Sequence, residues 1–216
     1  MNLIARRAAF MPAIALIGSY FVTGCAPLVV GGVVAGSVLV ATDRRTSGIQ
    51  LEDEGIELRS INRIREALVD RAHVNVTSYN RQVLLTGEVP SEADKQRVQE
   101  IVNRVENVRS IVNELAVLGN ATLTSRSSDA LVTGRVKAAM VDAKDLYASA
   151  FKVVTERGTV YLMGRVTQRE AGRATEIART TPGAQRVVRV FEIISEEDLQ
   201  RMLPQPARPS NTPTNN

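Results

Sequence analysis

The chain has 216 residues, with 27 Lys and Arg against 23 Asp and Glu, one histidine, one cysteine and no tryptophan. The lone histidine, His73, and the lone thiol, Cys25, exclude a His/Cys zinc cluster, and leave a Ser–His–Asp triad only if His73 serves it. There is no glycine-rich loop ending in Lys–Ser/Thr and no Gly-x-Gly-x-x-Gly after a strand, which removes phosphate-loop and dinucleotide chemistry.

Residues 1–24 read as an export signal. Arg6 and Arg7 supply the positive start, and residues 8–22 are uncharged and mostly apolar. That stretch is short for a membrane span, which needs about 20 apolar residues. Thr23 and Gly24 are the small residues required before cleavage, and "VTGC" (22–25) resembles the lipobox of bacterial lipoproteins. The resemblance implies a diacylglycerol on the Cys25 sulfur and an N-acyl chain on its new amino group. Several acyl chains anchor stably where one does not. By resemblance to enterobacterial lipoproteins, Ala26 in place of Asp favours sorting to the outer membrane over retention at the inner one. No other cofactor and no metal site are expected. The run 26–42 is Gly/Val-rich and uncharged, and residues 25–50 read as a lipidated tether.

Beyond the tether the chain repeats itself. "VNVTSYNRQVLLTGEV" (74–89) sets over "FKVVTERGTVYLMGRV" (151–166) at a constant offset of 77, pairing Val76 with Val153, Leu85 with Leu162 and Gly87 with Gly164. Each block alternates apolar and polar residues around a short turn, Asn80-Arg81 or Arg157-Gly158, which predicts a hairpin. A polar helix follows each hairpin. In the first copy Ser91 caps it, and Val98, Ile101, Val102 and Val105 form its stripe. A closing strand comes next, 108–117 in the first copy. Ahead of each hairpin lies another helix, over 52–69 with Ile61, Ile64 and Leu68 inward, and over 129–141 with Val132, Val136 and Met140 inward. The fold class is α+β: two tandem units of helix–strand–strand–helix–strand, each a three-stranded mixed sheet packed against two helices.

The hairpins ending in "LLTGEV" and "YLMGRV", their helices, and then "ENVRSIVNEL" and "PGAQRVVRVFEI" resemble BON domains. Two such units behind a lipobox are similar to the dual BON-domain outer-membrane lipoproteins of the DolP/YraP type. The domains are then a lipoprotein signal peptide (1–24), the tether (25–50), BON domain 1 (51–117), a linker (118–128), BON domain 2 (129–194), and a short helix with a disordered Pro-rich tail (195–216). The resemblance implies a periplasm-facing lipoprotein that binds phospholipid and supports envelope integrity, with enrichment at division sites.

The copies differ in charge. Residues 51–117 hold nine Lys/Arg and twelve Asp/Glu, a net of −3, whereas residues 126–194 hold twelve and seven, a net of +5. Each Lys/Arg near an anionic bilayer contributes about 1 kcal/mol, so the second copy is the candidate for headgroup binding. Aligning the first helices at an offset of 72 sets Leu131 over Arg59, an apolar residue where the first copy has a charge. The candidate lipid-binding residues are Leu131, Val132, Gly134, Arg135, Lys137 and Ala138. By resemblance this helix inserts into the bilayer; family members carry an aromatic at the position of Leu131, and Leu is the weaker anchor.

The expected partner is an anionic phospholipid membrane. The alternative is a protein–protein adaptor that recruits envelope assembly or division factors, and the two are compatible. An enzyme is not expected, because nothing fixes two carboxylates in a pocket and His73 reads as a surface residue ahead of a strand. Nucleic acid is not expected either, since the basic copy has few aromatics for stacking.

Overall fold

The computed structural model describes residues 43–69, 71–119 and 121–202. The signal, Cys25, most of the tether and the Pro-rich tail lie outside the described residues. In chain order the elements are α1 (Ser47–Leu68), β1 (His73–Tyr79), β2 (Gln82–Val89), α2 (Glu92–Asn103), β3 (Ser110–Asn113), β4 (Ala116–Val117), α3 (Leu123–Asp142), a 3₁₀ turn (Ala148–Ala150), β5 (Phe151–Glu156), β6 (Thr159–Val166), α4 (Gln168–Thr180), β7 (Arg186–Ile193) and α5 (Glu196–Met202).

The mixed α+β repeat is present. In each copy a hairpin pairs antiparallel, β1 with β2 and β5 with β6, and the closing strand joins the second hairpin strand in parallel. In copy one that closing strand is interrupted, because β3 and β4 both pair with β2. The turn residues Asn80, Arg81, Arg157 and Gly158 all have positive φ, between 48° and 70°. This is the backbone that a tight two-residue hairpin requires. Gly87 and Gly164 share one role. A Cβ on Gly87 would lie 2.0 Å from the His73 carbonyl oxygen, and one on Gly164 would lie 2.5 Å from that of Ala150.

One sheet face packs on the two helices. In copy one Val76, Val83, Leu85 and Val89 meet Ile56, Ile64, Leu68, Val98 and Val102. In copy two Val153, Val160, Leu162 and Val166 meet Val132, Val136, Met140, Ala174 and Ile177. The helices begin earlier than the sequence pattern suggests. Thr46 caps α1 by accepting from the Ile49 N–H, and Thr122 caps α3 by accepting from the Ser125 N–H. So α1 starts inside the expected tether, and residues 123–128 are helix rather than linker. Their polar composition (Leu-Thr-Ser-Arg-Ser-Ser) hid this. The short helix after copy two is present as α5, with Leu199 buried.

The other faces of the two sheets pack against each other. Tyr79 and Leu84 of copy one share a core with Tyr161, Met163 and Val190 of copy two, and Val112, Val154 and Val188 pack around them. Polar groups border it. Lys152 Nζ reaches Glu57 at 2.6 Å, Arg157 Nε reaches Glu88 at 2.6 Å and Arg186 reaches Glu114 at 3.3 Å. Three cations of the basic copy thus meet carboxylates of the acidic one. Part of the charge split is therefore complementarity between the copies.

An equivalent aspartate in each copy supports its hairpin. Asp53 accepts from the Asn80 and Arg81 N–H groups at 2.8 Å each, and Asp129 accepts from those of Arg157 and Gly158 at 2.8 Å each. The true offset between α1 and α3 is therefore 76. Ile56 corresponds to Val132, Ser60 to Val136 and Ile64 to Met140, all of them buried. The offset of 72 is corrected. Leu131 corresponds to Gly55, and Arg59 corresponds to Arg135. Buried Ser60 interrupts the apolar stripe of α1, which is why matching apolar on apolar slid the helices by one turn.

Candidate membrane-contact face

α3 is apolar on two sides. Val132, Val136 and Met140 point to the core. On the opposite side, Leu131, Gly134, Ala138 and Val141 fall at spacings of three and four residues, so they form one stripe. Leu131 is 62% exposed and Val141 70%, and Gly134 and Ala138 are exposed as well. Leu123, three turns before Gly134, and Tyr147, just past the helix, are also exposed. A helix with apolar groups on both faces loses its amphipathic signature, so the sequence pattern shows the inward stripe and the middle of the outer one, Leu131 to Ala138, but not the whole outer stripe. Val141 was missed for that reason, Leu123 because its segment read as linker, and Tyr147 because it lies beyond the helix.

Five of the six sequence-predicted residues lie on the exposed surface: Leu131, Gly134, Arg135, Lys137 and Ala138. Val132 does not. It is 3% exposed and sits in the copy-two core, where its Cγ2 would lie 2.6 Å from a Cβ placed on Gly183. It follows Leu131 by one residue, about 100° around the helix, and that turn carries it inward. Arg135 borders the stripe and donates to the Pro182 carbonyl at 3.3 Å, which ties the helix to the loop before β7. Lys137 and Lys144 are exposed.

Copy one lacks this surface. Gly55 stands at the position of Leu131, and a Cβ there would lie 2.9 Å from Arg59 Nη1. The Arg59 guanidinium is held over that spot by Glu52 at 2.7 Å. Asn62 and Arg65 replace Ala138 and Val141, and of this stripe only Leu58 is a large exposed apolar residue. No helix among the described residues is long and apolar enough to cross a membrane.

The BON domain profile matches residues 52–119 and 128–195, which are the two copies. The chain belongs to the BON-domain family. It is 36% identical over 184 residues to Outer membrane lipoprotein DolP of Haemophilus influenzae, covering 84% of this chain and 95% of that protein. It is 30% identical over 154 residues to the 21 kDa hemolysin of Actinobacillus pleuropneumoniae, covering 70% of this chain and 79% of that one. Osmotically-inducible protein Y of Escherichia coli is 29% identical over 134 residues, covering 58% of this chain and 66% of its own length. Within the family the chain is of the dual BON-domain, DolP type. Its two BON domains differ where they face solvent: the second carries the apolar, cation-bordered stripe and the first does not.

Proposed function

We propose that this protein is a lipid-anchored outer-membrane lipoprotein, held through acylated Cys25 and facing the periplasm. Its second BON domain contacts anionic phospholipid through the exposed face of α3, and through that contact it supports envelope integrity, including at division sites. The observation that carries this reading is the stripe of Leu131, Gly134, Ala138 and Val141 beside Arg135 and Lys137. A projecting apolar group flanked by cations suits a helix lying at a membrane interface. Tyr147 adds an aromatic ring with a polar tip, a type enriched at that depth. The match to a relative named as an outer membrane lipoprotein supports the location.

The test uses the chain with Cys25→Ser, so that no acyl group contributes. Binding to phosphatidylglycerol vesicles should exceed binding to phosphatidylcholine vesicles and should weaken with salt. Leu131→Glu should weaken it about tenfold or more, because it replaces an apolar contact by an anion at an anionic surface. Leu131→Trp should strengthen it. Equal binding by Leu131→Glu and the parent chain would remove the lipid site. The adaptor reading, supported by exposed Leu51 and Leu58 on the acidic α1, would then lead.

A further inference from the structure

The docked sheets place corresponding residues at opposite ends of the interface. The hairpin offset of 77 makes Tyr79 the counterpart of Glu156, Asn75 that of Lys152, and His73 that of Ala150. The helix offset of 76 makes Asp53 the counterpart of Asp129. At the first end the chain fills its own site. The Arg45 guanidinium lies 4.2 Å from the Tyr79 ring centroid and bonds Asp53 at 2.9 Å, and the Tyr79 hydroxyl donates to the Ala150 carbonyl.

At the second end, Asp129 and Glu156 line a cavity of about 360 Å3, together with His73, Asn75, Arg126 and Thr133. His73 Nδ1 and one carboxylate oxygen each from Glu88 and Glu156 all lie within 4.8 Å of one another. Glu88 is fully buried and Glu156 is 8% exposed. His73 Nδ1 stands 3.1 Å from Glu88 Oε2. Two ligands bound at about 2.0–2.1 Å in tetrahedral geometry stand roughly 3.3 Å apart, so this edge is already close to that of a metal site.

The surroundings are those of a supported ligand set. Arg157 Nε and the Ala121 N–H fix the Glu88 carboxylate, at 2.6 and 3.1 Å. Asn75 Nδ2 fixes Glu156 at 2.8 Å. No cation among the described residues pairs with Glu156, in contrast to Glu88. Thr86, opposite Asn75 in register and on the Glu88 face of β2, has a buried hydroxyl with no partner among the described residues. The narrow approach of β1 at Gly87 sets His73 over this group, since a Cβ there would also lie 3.4 Å from His73 Nδ1.

We propose that His73, Glu88 and Glu156 form a zinc site that joins the two BON domains, with water from the cavity completing the coordination. One imidazole nitrogen with two carboxylates suits Zn²⁺, whereas Mg²⁺ and Ca²⁺ favour all-oxygen sets. Two ligands come from copy one and one from copy two, so the ion binds only when the copies are docked. Ligation at this site therefore stabilises the docked state.

The full chain in detergent, without a histidine tag and stripped with EDTA, is titrated with ZnCl2 and followed by calorimetry and thermal melting. One ion per chain and a rise in Tm of about 5 °C at a hundredfold excess over Kd are expected. Co²⁺ should give the strong visible d–d bands of a four- or five-coordinate ion. The isosteric Glu156→Gln and His73→Gln should each weaken binding at least tenfold, and His73→Gln should abolish the Co²⁺ bands. Asp145→Asn, at an exposed carboxylate outside the site, should leave binding unchanged. Absence of a Zn²⁺-dependent shift, or binding that survives both site substitutions, would overturn the proposal. Vesicle binding does not enter this test, so the zinc site and the lipid face stand or fall separately.

Discussion

The two BON domains solve the same local problem with the same residue and then diverge around it. Each hairpin turn leaves two N–H groups pointing beneath the sheet, and each first helix sends up one aspartate to meet them. Among the described residues Asp129 does only that, with bonds of 2.8 Å to Arg157 and Gly158. Asp53 also accepts from Ser78 Oγ at 2.6 Å and from Arg45 at 2.9 Å. The extra partners make Asp53 the point at which the chain entering from the tether is fixed to the first domain. The difference teaches that the domains are not independent beads. Residues 43–45 run over both, because Arg45 reaches Asp53 while neighbouring Arg44 reaches Glu170 of the second domain at 2.6 Å.

The largest expected effect separates the two aspartates. Asp53→Ala orphans two backbone donors and the Ser78 hydroxyl and takes from the Arg45 guanidinium one of its two carboxylates, leaving Asp43 at 2.9 Å, and should cost about 4 kcal/mol, whereas Asp129→Ala orphans two backbone donors and should cost about 2 kcal/mol. Urea denaturation of the full chain measures both. Equal costs would mean that Ser78 finds another partner, that Asp43 alone satisfies Arg45, and that the strap contributes little.

A second comparison concerns the helix that follows each hairpin. Asp94 and Glu170 occupy the same position, three residues past the capping Ser91 and Thr167. Asp94 faces Arg71, an exposed side chain 3.7 Å away. Glu170 is 1% exposed beneath Arg44, which is itself 3% exposed. Burial pushes the Glu170 carboxyl up, but Arg44 and the Thr167 N–H outweigh it and hold the carboxyl below the usual range. A depressed carboxyl stabilises the fold above its unfolded pKa, about 4.3 for Glu, and that stability disappears as pH falls through the lower folded value. Arg44→Ala should therefore cost about 3 kcal/mol at pH 7, and the gap to the parent chain should close as pH falls below about 4. Arg71→Ala should cost less than about 1 kcal/mol at any pH. Stability curves from pH 3 to 7 decide it; a gap for Arg44→Ala that stays constant with pH would show that packing, not charge, holds the strap.

The repeat was legible because the hairpins carry their pattern locally. Alternation, the turn pairs Asn80-Arg81 and Arg157-Gly158, and the paired Gly87 and Gly164 all lie within 16 residues of sequence. The exposed positions of Leu131, Arg135 and Lys137 were legible from helical period alone. What was not legible depends on distant contacts. The start of α3 at Leu123 rests on a threonine cap in a polar run. His73, Glu88 and Glu156 come together only after two sheets dock, and Glu156 lies 83 residues from His73, so the histidine read as a surface residue. Docking itself left only a charge split in the sequence, and that split has two sources. Lys152, Arg157 and Arg186 serve the interface, while Arg135 and Lys137 border the outer face of α3.

The smallest effect tests the correction of the helix alignment. Ser60 occupies in α1 the place of Val136 in α3, and its hydroxyl is buried without a partner among the described residues. An unsatisfied buried hydroxyl costs about 1–3 kcal/mol relative to an apolar group of the same shape. Ser60→Ala removes the hydroxyl and should raise stability by about 1 kcal/mol. Ser60→Val goes further, because it restores the side chain that the second domain uses at this position. If α1 lies as far from its sheet as α3 does from its own, Val fits and the gain exceeds that of Ala by the burial of its two methyl groups. Should Val destabilise where Ala stabilises, α1 is the more closely packed helix. The serine is then a spacing residue, selected for size in spite of its hydroxyl. The midpoint of urea unfolding for the two variants separates these outcomes.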